Sequence, residues 1–126
     1  MNKKQKFSIT NRIKSFGYAF KGIWFLIRTQ ENMIIHLIAA IVVIIAGFVL
    51  KINSIEWIMI VLAIGFVMVT EAINTAIEQF IDFISPGYNY SAGKAKDLGA
   101  GAVLLSAITA AIIGIIVFLP KILALL

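Results

Sequence analysis

An all-α integral membrane fold, with three transmembrane helices and an N-terminal amphipathic surface helix, is what this sequence predicts. Three observations carry the reading. Of 126 residues, 61% are hydrophobic and 13% charged, too few charges to cover the surface of a soluble domain of this size. The apolar residues gather into runs at about 33–50, 55–84 and 98–119, close to or above the ~20 residues that cross a ~30 Å hydrocarbon core. Basic residues crowd ahead of the first run, as in a cytoplasmic leader. The whole of 1–126 reads as a single membrane domain.

The basic segment 1–30 carries Lys3, Lys4, Lys6, Arg12, Lys14, Lys21 and Arg28, with no acid before Glu31. Ile13, Phe16, Phe20, Ile23, Trp24 and Ile27 recur at helical spacing, and Lys14, Lys21 and Arg28 fall on another stripe. That pattern predicts an interfacial helix on an anionic leaflet. The apolar run that follows is too long for a signal peptide and no A-x-A-like cleavage site follows it. The first span is interrupted only by His36, read as a packed or interfacial histidine rather than a ligand. Trp24 and Trp57 read as interface anchors, and Glu56 as solvated at the outer surface.

The second span runs without a break into Glu71-Ala-Ile-Asn74-Thr-Ala-Ile-Glu78-Gln-Phe-Ile-Asp82. At ~100° per residue, Glu71, Asn74, Glu78 and Asp82 share one helix face. An ionisable group inside a membrane costs roughly 2.5–3.5 kcal/mol on insertion scales and marks ion, proton or substrate sites. The run is longer than a crossing requires, so its acidic end should reach the headgroup region. The loop Ser85–Asp97 is dense in turn formers and delivers Lys94, Lys96 and Asp97 to the third span. That span is free of charge and carries Ser106, Ala110 and Gly114 at four-residue spacing, a pattern that permits close helix packing. Three helices can hardly bury a face bearing three acids, so partner helices are expected.

Charge bias places the N-terminus and the Ser85–Asp97 connection in the cytoplasm, with Lys51 and Lys121 on the other side. Neither G-x-x-x-x-G-K-[ST] nor a protein-kinase H-R-D motif is present. The absence of cysteine excludes disulfide and thiolate chemistry. Glu71, Glu78 and Glu31 offer hard oxygens suited to Mg²⁺ shared with substrate phosphates. Lys96 can neutralise charge on a transferring group, and a remaining carboxylate can take a proton from a hydroxyl. The residues leave two readings open: phosphoryl transfer to a lipid alcohol, or a proton- or cation-coupled transporter using Glu71. They differ at Lys96-Asp97, a phosphate-binding pair for which a transporter has no evident use.

The combination Glu71-x-x-Asn74-Thr-Ala-Ile-Glu78-x-x-x-Asp82, a Tyr-bearing loop and Ala95-Lys96-Asp97 resembles the prokaryotic diacylglycerol kinase family. The resemblance spans nearly the whole chain. Lys14-Ser-Phe-Gly-Tyr18-Ala-Phe-Lys21-Gly22-Ile is similar to the family's surface helix, and Glu31-Asn-x-x-x-His36 to the acid that opens its first span. Ser85-Pro86 and Phe-Leu-Pro-Lys121 resemble the Gram-positive branch, whose members are largely undecaprenol kinases. The resemblance implies a homotrimer with active sites shared between protomers, in a bacterial plasma membrane, with the N-terminus and active site cytoplasmic. It implies ATP-dependent phosphorylation of undecaprenol to undecaprenyl phosphate, with diacylglycerol as the alternative substrate and no nucleic-acid partner.

Carried onto this chain, the resemblance makes Glu71 the general base on the lipid hydroxyl. Glu31 and Glu78 hold Mg²⁺ bridging the ATP phosphates. Lys96 and Asp97 contact the nucleotide, with Tyr18 and the turn Gly87-Tyr88-Asn89 near it. Asn74, Asp82, Lys14 and Lys21 support the site. Family members often carry Glu-Tyr-His where this turn has Gly87-Tyr88-Asn89.

Overall fold

A computed structural model describes residues 6–126, and Lys3 and Lys4 lie outside the described residues. The chain forms four helices: α1 (Ile9–Thr29), α2 (Glu31–Val49), α3 (Ser54–Ile84) and α4 (Tyr90–Leu125). Among the described residues, α2, α3 and α4 are long and apolar enough to cross a membrane. At ~1.5 Å per residue, α3 and α4 each exceed the ~30 Å core, so at least one end of each projects beyond it.

Each helix begins and ends where local chemistry dictates. The Ser8 hydroxyl accepts from the Asn11 amide at 3.3 Å and opens α1. At Gln30 the backbone turns extended, its N–H closing α1 on the Leu26 carbonyl, and α2 starts at the next residue. Lys51 takes a left-handed conformation, φ 54°, which lets α2 close in a Schellman motif. There the Ile52 amide donates to the Gly47 carbonyl and the Lys51 amide to the Phe48 carbonyl. A reciprocal capping box then opens α3: Asn53 accepts from the Glu56 amide, and Glu56 accepts from the Asn53 amide. Pro86 follows the Ser85 cap and prevents α3 from continuing.

The connection after α3 is shorter than its turn-rich composition implies. The Asn89 side chain accepts from the Ala92 amide at 3.1 Å and starts α4 at Tyr90. Lys94, Lys96 and Asp97 therefore stand on the opening turns of a helix rather than in a loop. An asparagine cap followed by Tyr-Ser-Ala-Gly-Lys-Ala-Lys carries enough helix-forming residues to propagate once nucleated.

Packing within the protomer is sparse and uneven. α3 and α4, joined by the short turn, form the most extensive helix contact, and α2 lies against α3. The densest apolar core sits at the end away from the acidic stripe, where Ile52, Ile60 and Val117 meet Val43 and Trp57. Trp57, read as an interface anchor, packs instead on α2. Its ring tilts against Phe48 at 4.8 Å, and a Cβ on Gly47 would stand 2.6 Å from it. Glu56 is not simply solvated: besides closing the capping box it pairs with Lys121 of α4 at 3.1 Å. Elsewhere large apolar residues such as Ile41, Phe48, Leu62, Phe66, Leu105 and Ile116 point out of the protomer. In water that surface would be prohibitive; in hydrocarbon it is the expected exterior.

Candidate active site

The acidic stripe of α3 runs from dry to wet. Glu71 is 2% exposed and Asn74 7%, Glu78 is half-buried, and the Asp82 side chain is 59% exposed. The stripe rises ~16 Å from Glu71 to Asp82. It therefore joins a buried carboxylate at one end to solvent at the other. Its positions follow from helix periodicity, but the gradient follows from what each meets on α1, α2 and α4.

Asn74 is fixed by its neighbours. Its Nδ2 donates to Glu78 Oε1 at 3.3 Å, tying two stripe members together. Its Oδ1 lies so close to Gly99 of α4 that a Cβ there would collide with it. With glycine at 99, α4 approaches the stripe here without displacing the Asn74 amide. Asn74 Oδ1 is buried without a hydrogen-bond partner, a state that costs ~1–3 kcal/mol for a neutral group and leaves an acceptor available in the site.

At the wet end, Lys96 of α4 forms an ion pair with Asp82 of α3. Both side chains are substantially exposed, so the pair adds little stability, but it sets the lysine beside the α3–α4 turn. There a cleft of about 250 Å³ is lined by Asp82, Gly87, Tyr88, Asn89, Gly93 and Lys96 among others. The structure thus brings together four of the predicted nucleotide contacts, Gly87, Tyr88, Asn89 and Lys96. Tyr88 is almost fully exposed, and Lys94 lies over the Tyr90 ring at 5.9 Å.

Other predicted residues stand apart. Tyr18 and Lys14 are exposed on α1, and the Lys21 ammonium lies over the Tyr18 ring at 5.8 Å, within cation–π range. Glu31 is exposed at the first position of α2 and Asp97 on α4. Among the described residues, no three His, Asp or Glu side chains converge into a metal cage. The carboxylates of Glu31 and Glu78 nevertheless suit Mg²⁺, which is commonly held by one or two carboxylates while phosphate oxygens and water complete the octahedron.

Sequence reasoning missed two residues. His36, given a bland reading, stands with Nε2 3.6 Å from Glu71 Oε2. Its signal was its isolation as the one polar side chain in an otherwise apolar span. Thr75 is 5% exposed, with an unpartnered hydroxyl. It lines a cleft of about 380 Å³ between α1 and α3, beside Ala19, Gly22, Ala72 and Gln79. A threonine between Asn74 and Ala76, off the acidic stripe, carries no signal that would have found it. A third cleft, about 220 Å³ and almost wholly apolar, is shared by α2, α3 and α4, with His36 in its wall.

Fold and site together define a small helical membrane protein with a polar cleft at one end of its bundle and a buried acid behind it. A sequence model described as prokaryotic diacylglycerol kinase matches residues 17–118. The chain is 43% identical over 122 residues to the undecaprenol kinase of Bacillus subtilis (strain 168), covering 96% of this chain and 99% of that protein. It is 38% identical over 117 residues to a diacylglycerol kinase of Synechocystis, covering 92% and 67%. With the diacylglycerol kinase of Escherichia coli K12 the identity is 30% over 103 residues, covering 82% and 84%. The chain belongs to the prokaryotic diacylglycerol kinase family.

Proposed function

We propose that this protein transfers the γ-phosphoryl group of ATP to the hydroxyl of undecaprenol, giving undecaprenyl phosphate and ADP. The observation that carries the reading is the stripe itself, which links a buried carboxylate to a lysine-bearing polar cleft. A lipid hydroxyl arriving from the bilayer meets the dry end, and a nucleotide arriving from water meets the wet end. The preference for undecaprenol over diacylglycerol is supported by the 43% identity across essentially the full length of the Bacillus protein.

Glu71 accepts the proton of the lipid hydroxyl as its oxygen attacks the γ-phosphorus. The bond to the bridging oxygen breaks and ADP leaves with the electron pair. Lys96, exchanging its hold on Asp82 for phosphate, offsets negative charge on the transferring group. Asp97, Tyr18 and the Gly87-Tyr88-Asn89 turn contact the nucleotide. Lys14 and Lys21 hold α1 to the anionic surface beside it. Glu31 and Glu78 would hold Mg²⁺, which would supply neutralising charge to the phosphates. Asn74 keeps Glu78 in place. The N-terminus and the α3–α4 turn face the cytoplasm, as the weight of lysine and arginine favours. Three protomers assemble and share sites, which would cover part of the exposed apolar surface and supply neighbours to the stripe.

The test is purified protein in lipid nanodiscs with labelled ATP, Mg²⁺ and either undecaprenol or diacylglycerol. Label is expected in undecaprenol, and chelation of the divalent ion should abolish transfer. Label in diacylglycerol alone would reverse the substrate assignment. No label in either lipid would sink the proposal.

A further inference from the structure

Two buried atoms of complementary character face each other at the dry end of the stripe, and neither has a hydrogen-bond partner. They are His36 Nε2 on α2 and Glu71 Oε2 on α3, 3.6 Å apart. That distance is too long for a hydrogen bond. Catalytic hydrogen bonds in unliganded sites, however, are often long and tighten when substrate is bound. A carboxylate out of reach of water is held in place only by a donor, and the other ion pairs among the described residues involve neither partner.

The surroundings leave His36 alone in this role. From α3, the residues beside it in the shared cleft are Val67 and Met68, and from α4 they are Ala107 and Ala110. The nearby neutral polar groups on α3 are Asn74, committed to Glu78, and Thr75, which lines the cleft toward α1. The cations of α1, Arg12, Lys14, Lys21 and Arg28, are exposed.

We infer that His36 is a positioning residue for Glu71. The imidazole Nε2–H donates to Glu71 Oε2, fixing the carboxylate rotamer so that the other oxygen receives the lipid hydroxyl's proton. His36 also walls the apolar cleft, so the same side chain joins that cleft to the acid. This inference rests on Glu71 being the base, and it adds the group that makes a buried glutamate usable as one.

The chain contains a single histidine, so ¹⁵N-histidine labelling reports on His36 alone. In nanodiscs without nucleotide or metal, the His36 ring ¹⁵N resonances of the unmodified protein should differ from those of Glu71→Gln at one fixed pH, because Nε2–H then donates to a neutral amide instead of a carboxylate. Identical His36 ring ¹⁵N resonances in the two proteins would overturn the contact. Kinetics supply the second arm. His36→Leu should lose about tenfold or more in kcat with KM for ATP unchanged. His36→Gln, whose amide donates from a similar place, should recover most of that loss. Unchanged turnover in His36→Leu, or equal losses in both variants, would overturn the positioning role. A fully active Glu71→Gln would remove the base assignment while leaving the ¹⁵N result standing, which separates the two failures.

Discussion

Gly99 shows how a residue with no chemistry of its own can control the site. Its missing side chain lets α4 close on Asn74, and Asn74 in turn holds Glu78. Gly99→Ala should push Asn74 off Glu78 and lower turnover on the order of 10²-fold, the scale on which an ~1 Å misplacement acts. Helical content by circular dichroism should stay unchanged, and unaltered turnover would show that Asn74 tolerates the displacement. At this scale the sequence was legible where chemistry and periodicity coincide. Glu71, Asn74, Glu78 and Asp82 share a helix face because their spacing requires it. Their division into dry and wet members was not legible, because burial depends on which helices pass over each position. The same reason hid His36, whose importance lies in a contact from α2 to α3 some 35 positions away in the chain.

Element boundaries follow local caps, and the caps yield separate predictions. Asn53→Ala breaks the capping box of α3 and should destabilise the protein by ~1 kcal/mol, read as a lowered unfolding midpoint in detergent with kcat unchanged. Lys51→Gly should act in the opposite direction, stabilising the protein by ~1 kcal/mol and raising the midpoint, because glycine takes the left-handed conformation at no steric cost. A midpoint lowered by Lys51→Gly would show that the lysine side chain contributes more than its backbone strain removes. Helix starts at Ile9, Glu31 and Ser54 lie close to where the apolar patterns place them. The start of α4 at Tyr90 does not. Ser-Pro-Gly-Tyr-Asn-Tyr-Ser reads as one continuous turn, and only the Asn89 side chain closing on Ala92 shows that the turn ends halfway through it. The consequence for the site is direct, since Lys96 is carried on a rigid helix beside Asp82 and not on a mobile loop.

The whole molecule is a bundle tight at one end and open at the other. Ile52, Ile60, Val117 and the Glu56–Lys121 pair close the far end, while two clefts border the stripe end and a third runs between them and the core, from His36 to Ile60. Membrane class was legible from composition and span number from the apolar runs, because hydrocarbon imposes length and apolarity on any helix that crosses it. Assembly is a separate matter, since apolar exteriors look alike whether they face lipid or another protomer. The proposed homotrimer predicts a native mass spectrum from detergent near three times the 13.8 kDa protomer; a monomer retaining full turnover would contradict shared sites. The central claim concerns the dry carboxylate of α3, and the turnover of Glu71→Gln with undecaprenol and ATP tests it most directly. A loss of about 10²–10⁴-fold, the usual worth of a general base, with nucleotide affinity retained is the predicted result. Turnover equal to that of the unmodified protein would contradict it.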